Sequence, residues 1–302
     1  MSLNIEGPGD KIKDAAGLET LAMDEVLTGI NENYKKFTGR KLFFILSLLP
    51  VLGAIAVISV SVGSAHITIW DAYSSLLHEF FPDHFTTSRV ADICVWSLRL
   101  PKLLMGILAG MGLGIAGSVF QGVLRNPLAS PYTLGISSGA SFGASLAILS
   151  GASIVGGQYV IIGNAFIFAL ICSFVIIGLS SRKDSTPEVM ILAGVAMMYF
   201  FSAMTIILQF FASSDAVKSA IFWSVGDLSK ATWPALATIL LVGLCMVPII
   251  LYKSWDLNVL SAGDEIAKGL GLDVKRVRMV TIIVSTLFVA TIICFTGTIG
   301  FI

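Results

Sequence analysis

The sequence is poor in charge and in the residues that build catalytic or metal sites. Only 13% of its 302 residues are charged, and 19 acidic residues balance 19 basic ones. Its three histidines and four scattered cysteines show no zinc-type spacing, and neither a GxxxxGK[ST] motif nor a Ser/His/Asp arrangement occurs. The chain therefore shows no nucleotide site, metal site or disulfide framework of its own. Its zero net charge gives no reason to expect binding to nucleic acid.

What the chain has in excess is apolar surface. Apolar residues make up 56% of it, and its mean hydropathy is +0.89. A soluble core of this size could not enclose so much apolar surface. Because about 20 apolar residues cross a bilayer, the sequence predicts an all-α, polytopic membrane helix bundle. Seven spans are predicted, near 42–62, 99–122, 132–150, 159–179, 188–212, 233–252 and 277–296.

Residues 1–41 form a polar segment ahead of the predicted membrane domain, 42–302. Apolar residues at helical spacing and a basic end predict an amphipathic helix that lies on the membrane or on a partner. Lys and Arg accumulate on the cytoplasmic side of membrane proteins. With the N-terminus inside, 14 of the 19 basic residues fall in cytoplasmic segments. A cytoplasmic N-terminus is therefore predicted.

Small residues recur every four positions in two neighbouring spans, where they allow close approach of helices. The glycines predicted to pack helices in this way are Gly106, Gly110, Gly114, Gly135, Gly139 and Gly143. Between the two spans, the sequence NPLASP interrupts the helical pattern with Pro127 and Pro131. Non-helical backbone at membrane depth persists only where protein buries it or where it lines a cavity.

The pattern of residues 261–276 predicts a structured docking element rather than a simple connector. Asp264 and Glu265 favour the first turn of a helix, and Gly269 and Gly271 favour its end, so a short capped helix is predicted, with a second helix after Leu272. A solvated connector is the alternative. The apolar faces of the segment favour a docking element.

Three blocks of sequence resemble one family. RLPKLLMGILAGMGLGIAGSVFQGVLRNPLASPYTLGISSGA, at 99–140, resembles the hallmark block of FecCD-type permeases, which serve ABC importers for iron-siderophores, haem and vitamin B12. LSAGDEIAKGLGLDVKRVR, at 260–278, is similar to the coupling loop of that family, and GTIGFI, at 297–302, resembles the opening of its next conserved block. The resemblance covers residue 42 to the end. Ten spans are expected in the family, and this chain ends as the eighth begins.

The resemblance implies a permease in the cytoplasmic membrane rather than an enzyme. It implies two copies of the chain, two cytoplasmic ABC ATPase subunits and an extracytoplasmic binding protein that delivers a metal chelate. A ferric siderophore is the first expectation for that chelate, followed by haem or cobalamin. No cofactor is expected to bind directly, since ATP and Mg²⁺ would bind the partner ATPase.

The resemblance also assigns roles to particular residues. The coupling loop would use Asp264, Glu265, Ala267, Leu270, Gly271 and Leu272. The binding protein would dock on Arg99 and Lys102. The inner gate would contain Thr186, Pro187 and Glu188, and the pathway lining would contain Met197, Ser202 and Thr205.

Three alternatives to an importer remain at this point. Because the chain is shorter than expected for the family, a truncated fragment or scaffold that does not transport is one of them. An ion-coupled secondary transporter is disfavoured because the interiors of the spans lack the charged residues that such proteins generally need. An intramembrane enzyme is disfavoured by the missing catalytic arrangement.

Overall fold

The structure, a computed structural model, describes residues 8–63, 67–180 and 186–299. Within these ranges the chain is helical and no β-strand occurs. It divides into two compact units, Met1–Val62 and Gly63–Ile302. The all-α prediction is confirmed for the described part of the chain.

The first unit contains one described helix. This helix, α1, runs from Pro8 to Ser61, so the predicted polar segment and the predicted first span share it. Its apolar part, Glu32–Ser61, is long enough to cross a bilayer, and almost all of its side chains are exposed. The role predicted for residues 1–41 stays a prediction.

The described part of the second unit contains eleven α-helices. They are α2 (Ile69–His78), α3 (Arg89–Asp92), α4 (Leu100–Leu124), α5 (Ile136–Leu149), α6 (Ala152–Ser180), α7 (Pro187–Phe210), α8 (Ser214–Val225), α9 (Trp233–Tyr252), α10 (Ser254–Ser261), α11 (Asp264–Gly269) and α12 (Val274–Thr296). A π-helical stretch, Ile93–Arg99, joins α3 to α4, and a 3-10 turn, Leu228–Lys230, precedes α9.

Helix α12 lies at the centre of this unit. It packs against α4, α5, α6 and α9, and 72% of its most apolar 18-residue stretch is buried. Several of its buried hydroxyls bond the backbone one turn earlier. Thr281 donates to the Val277 carbonyl at 2.7 Å, and Thr296 donates to the Ile292 carbonyl at 2.9 Å. Because these groups find partners within the helix, they can be buried among apolar neighbours at low cost.

Six described segments are long and apolar enough to cross a membrane. They are Glu32–Ser61, Arg89–Leu124, Gly157–Leu179, Pro187–Phe210, Trp233–Tyr252 and Val274–Thr296. The span predicted over 132–150 differs, because its helix, α5, has 14 residues. At 1.5 Å per residue that helix is about 21 Å long, whereas the hydrocarbon core is about 30 Å thick.

Turns occupy the residues that the prediction gave to the start of this helix. Asn126 accepts a hydrogen bond from the Leu128 amide at 2.9 Å through its side chain, and the Ser130 amide donates to the Thr133 hydroxyl at 3.0 Å. Gly135 then adopts φ +71° as the N-cap residue of α5. We call residues 126–135 the Pro-containing turn. Its Ala129 and Leu134 side chains are buried, which fits the requirement that protein enclose such backbone.

The glycines of α5 lie at close helix contacts. A Cβ added to Gly139 would stand 2.7 Å from the Phe168 carbonyl oxygen of α6, and one added to Gly143 would meet the Asn164 carbonyl oxygen. One added to Gly135 would stand 3.0 Å from the Gly194 carbonyl oxygen of α7. Backbones therefore approach each other here without an intervening side chain.

On α4 the structure uses a different face from the predicted one. A Cβ added to Gly110 or Gly114 would meet no described atom within 4 Å, and one added to Gly106 would make only an ordinary contact of 3.6 Å with Leu228. Gly112 is the crowded position, because a Cβ there would lie 2.9 Å from the Phe288 ring of α12. A four-residue glycine period marks a smooth helix face, but it does not say which face meets a neighbour.

Candidate functional site

Helix α11 has well-defined ends. Asp264 and Glu265 occupy its first turn, where the helix dipole favours carboxylates. After the helix the chain turns at Gly271, which has φ +82°. The Leu272 amide donates to the Ala267 carbonyl and the Gly271 amide donates to the Lys268 carbonyl, both at 2.9 Å. This pair of bonds is a Schellman motif. The short helix predicted within 261–276 is thus present, and α12 follows at Val274.

The two apolar faces of α11 differ in exposure. Ala267 is fully buried and belongs to the same buried cluster as Leu260 of α10. Ile266 is 54% exposed and Leu270 is 69% exposed. Ala267 therefore anchors α11 within the chain, and the coupling-loop role that the resemblance implies for it stays a prediction. Ile266 lies beside Leu270 on the exposed face.

The Asp264 carboxylate lies between two arginines. Arg278 Nη2 donates to both carboxylate oxygens, at 3.0 and 3.1 Å, and Arg125 Nη2 lies 3.5 Å from Oδ1. Only 5% of the Arg278 side chain is exposed, compared with 25% for Asp264 and 33% for Arg125. We call these three residues the Asp264 cluster. It joins the start of α11 to the end of α4 and to the first turns of α12.

Glu265 makes a different kind of contact. It pairs with Lys268 at 3.1 Å within α11, and the two side chains are 90% and 60% exposed. Exposed pairs of this type contribute little to stability, about 1 kcal/mol at most. Glu265 is therefore free to meet a partner, whereas Asp264 is held by the fold.

The residues assigned to the inner gate lie at the start of α7. Thr186 is its N-cap residue, but its side chain accepts no hydrogen bond from the helix amides. Its hydroxyl instead donates to the Glu188 carboxylate, which also interacts electrostatically with Arg125 and Arg278. Pro187 is buried and Glu188 is exposed. The predicted gate therefore lies beside the Asp264 cluster, at the same end of the helices.

Two of the three residues assigned to the pathway line a polar cleft. Ser202 and Thr205 of α7 face a cleft of about 280 Å³. The other lining residues are Tyr132, Ser137, Ser138, Ser141, Ile206, Gln209, Ser224 and Thr298. Met197 is not among them, because it packs against the buried aromatic cluster of Phe142 and Phe201. The cleft has hydroxyl and amide groups but no charged side chain, and the described residues contain no cluster of His, Cys, Asp and Glu that could hold a metal.

The residues assigned to docking lie at the opposite end of α4. Arg99 is half-buried, and its guanidinium covers Gly63, where an added Cβ would stand 2.8 Å from Nε. Lys102 is exposed, and its Nζ donates to the Ser229 hydroxyl at 3.3 Å.

The Ser229 amide also donates to Asp227 at 2.7 Å. This amide is the main reason why the pKa of Asp227 is lowered, and the Ser229 hydroxyl, Lys230 and Lys102 lower it further. Lys102 thus has an anion close by in its own chain.

Comparison with family models gives a match to the FecCD transport family over residues 51–302. The chain belongs to this family. An ABC transporter permease protein from Methanocaldococcus jannaschii is 36% identical over 282 residues, which are 90% of this chain and 79% of the relative. A cobalamin import permease from Halobacterium salinarum is 34% identical over 73% of this chain and 59% of its own length. Further relatives are named as permeases for ferric citrate, ferric hydroxamate and hemin.

A solved structure supports the same assignment. It is described as an inward-facing conformation of a metal-chelate type ABC transporter, and it matches with a TM-score of 0.71 at 29% identity. The match covers 86% of this chain and 77% of the solved chain. As a FecCD permease of metal-chelate type, the chain is a multi-pass inner-membrane transport subunit and not an enzyme. The family implies separate ATPase and binding-protein partners.

The predictions from the sequence do not include Arg125, Arg278 or the serines of α5. In the sequence, Arg125 is one basic residue of a loop and Arg278 lies within a basic run. Their pairing with Asp264 joins positions 139 and 14 residues apart, which no local pattern shows. The serines at 137, 138 and 141 do recur on one helical face, and that spacing was an available signal.

Proposed function

We propose that the chain is the membrane-spanning subunit of an ATP-driven importer for a metal chelate, a ferric siderophore first and otherwise haem or cobalamin. The exposed apolar face of α11 carries this proposal. Ile266 and Leu270 project from a helix fixed by a Schellman motif and by the Asp264 cluster. A preformed apolar helix face suits a groove on another protein. Because the chain has no nucleotide-binding motif, that protein is the ATPase.

The proposed orientation puts the α11 end in the cytoplasm and the N-terminus on the same side. Arg125, Lys253, Lys268, Lys275 and Arg276 are at or near the α11 end. This enrichment supports the assignment through the preference of Lys and Arg for the cytoplasmic side. We include α5 as a seventh crossing, completed by the Pro-containing turn.

The proposed assembly contains two copies of the chain, two ATPase subunits and one extracytoplasmic binding protein. Helix α7 supports the pairing of copies, since only 11% of its most apolar stretch is buried. Ser202 and Thr205 on this helix would line the pathway together with the polar cleft, and Glu188 would lie at its inner gate. The chain itself would bind no cofactor, and ATP and Mg²⁺ would act in the ATPase. The relatives named for ferric citrate and ferric hydroxamate support an iron chelate as cargo.

Reconstitution tests this function. The chain would be co-expressed with its ATPase and binding protein and placed in lipid vesicles. ATP hydrolysis and uptake would then be measured with a ferric siderophore, haem and cobalamin in turn. We expect a loaded binding protein to stimulate hydrolysis and one chelate to accumulate. An inserted, ATPase-bound complex that neither hydrolyses nor transports in response to any of the three would favour the scaffold alternative.

A further inference from the structure

The Asp264 cluster contains one fixed contact and one weak contact. The fixed contact is to Arg278, which is 95% buried and reaches both carboxylate oxygens. Its Nε is also buried and has no hydrogen-bond partner among the described residues. A buried guanidinium that lost its carboxylate would become an uncompensated charge. Asp264 therefore stays with Arg278, and α11 stays with the start of α12.

The weak contact is to Arg125. It is a single approach of 3.5 Å between side chains that remain partly exposed, and such pairs are easily exchanged with water or with another ion. The backbone of Arg125 has φ +49° and ψ +37° and caps α4. No other described residue except glycine has a positive φ. Because Arg125 directly precedes the Pro-containing turn, a shift of its side chain acts on the backbone where that turn begins.

A second carboxylate lies within the influence of Arg125. Glu188 is exposed in the first turn of α7 and interacts electrostatically with Arg125 and Arg278. No described ion pair within 4.0 Å joins Glu188 to either arginine. Arg125 thus has one partner at 3.5 Å on α11, and on α7 it interacts with a carboxylate whose hydrogen bonds are to Thr186 and to the backbone.

We propose that Arg125 is a positioning residue of the importer that exchanges between Asp264 and Glu188, and so passes movement of α11 to the Pro-containing turn and to the gate end of α7. This inference rests on the proposed function. When an ATPase moves α11, Asp264 and Arg278 move together because their contact is buried. Arg125 is then released towards Glu188, and the end of α4 follows it.

The test uses the full chain with its ATPase and binding protein in lipid vesicles, and measures chelate taken up per ATP hydrolysed. Arg125→Gln is expected to lower this ratio about tenfold while hydrolysis continues, within the range usual for coupling between sites. Arg125→Lys keeps the charge and should restore at least half of the ratio. Glu188→Gln should lower the ratio as well. The double variant should be no worse than Arg125→Gln alone, because both changes remove the same exchange.

The matched control is Lys253→Gln. Lys253 pairs with Asp256 at 2.8 Å, and both side chains are exposed to a similar extent as Arg125 and Asp264. This control should leave the ratio close to that of the unmodified chain. The proposal is overturned if Arg125→Gln behaves like Lys253→Gln, or if the losses of the two single variants multiply in the double variant. Should Arg125→Gln fail to insert, an unchanged ratio in Glu188→Gln overturns it on its own. Failure of the unmodified chain to transport would instead count against the proposed function.

Discussion

The phenol of Tyr132 donates a hydrogen bond of 2.8 Å to the carbonyl oxygen of Thr298. This bond ties the Pro-containing turn to the segment that follows α12, and the Thr298 hydroxyl continues it to the Ser224 carbonyl of α8. Three parts of the second unit therefore meet at one point beside the polar cleft.

Removing this phenol should weaken the fold. Tyr132→Phe leaves the carbonyl of the buried residue Thr298 without its donor, which costs about 1–3 kcal/mol. Thermal unfolding in detergent should show a lower midpoint. Tyr159→Phe is the control, because Tyr159 is 80% exposed. Equal midpoints for the two variants would show that the bond contributes nothing.

Alanine substitution should separate the two glycine faces. Gly139→Ala would place a Cβ 2.7 Å from a carbonyl oxygen and 2.8 Å from Cys172 Sγ, so α5 and α6 must move apart, at a typical cost of about 1–3 kcal/mol. Gly110→Ala meets nothing in the described chain and should be neutral or slightly stabilising, because alanine favours a helix by up to about 1 kcal/mol. Thermal unfolding of both variants checks this. A stable Gly139→Ala would contradict the helix contact.

Charge reversal should distinguish the neighbouring acids of α11. Asp264→Lys puts a third cation beside Arg125 and buried Arg278, and loss of such a buried pair costs about 3–5 kcal/mol. We expect little folded protein from it. Glu265→Lys alters only an exposed side chain and should fold normally, but reduce ATP hydrolysis stimulated by the loaded binding protein. Yield from size-exclusion chromatography and ATPase assays report the two effects. A well-folded Asp264→Lys would remove the structural role given to Asp264.

Charge changes near Arg99 and Lys102 should alter the rate at which the binding protein associates. Added negative charge should lower this rate, and loss of negative charge should raise it. If the binding protein presents acidic residues there, Arg99→Glu with Lys102→Glu should slow its association about tenfold at low salt. Lys102→Ala alone should cost about 1 kcal/mol at most. Asp227→Asn should speed association instead. The pKa of Asp227 lies below its usual 3.8, so this residue is ionised at neutral pH and its replacement removes a negative charge.

Association rates measured at low and high salt check this prediction. High salt should bring all the variants close to the rate of the unmodified chain. Rates that are equal at low salt would show that Arg99 and Lys102 only anchor the helix end.

Local chemistry let the sequence predict α11. Acidic residues in the first turn and Gly271 after the last turn act within a few residues, so the helix and its end follow from them alone. The short length of α5 was harder to predict from the sequence. Pro127 and Pro131 predicted a break, but the hydrogen bonds of Asn126, Ser130 and Thr133 extend the turn to Gly135. These polar residues add non-helical backbone that hydropathy does not register.

Contacts between helices that are distant in the chain could not be predicted from the sequence. The glycine period in α4 indicated Gly110 and Gly114, whereas α12 packs on Gly112, because the position of α12 decides which face is covered. Burial of Ala267 likewise depends on α10, and the partners of Asp264 come from α4 and α12. Such contacts depend on how the helices assemble, which no local pattern encodes.

The enclosed position of α12 has a consequence for how the chain is made. Helices α4, α5, α6 and α9, which surround α12, all leave the ribosome before it. When α12 itself leaves the ribosome, the helices that it packs against have therefore already been released. Until α12 packs on them, Gly112 and the face of α5 that meets α12 lack this cover. Insertion of α12 should thus complete the packing of these four helices, and chains that stop before it should be targets of membrane quality control.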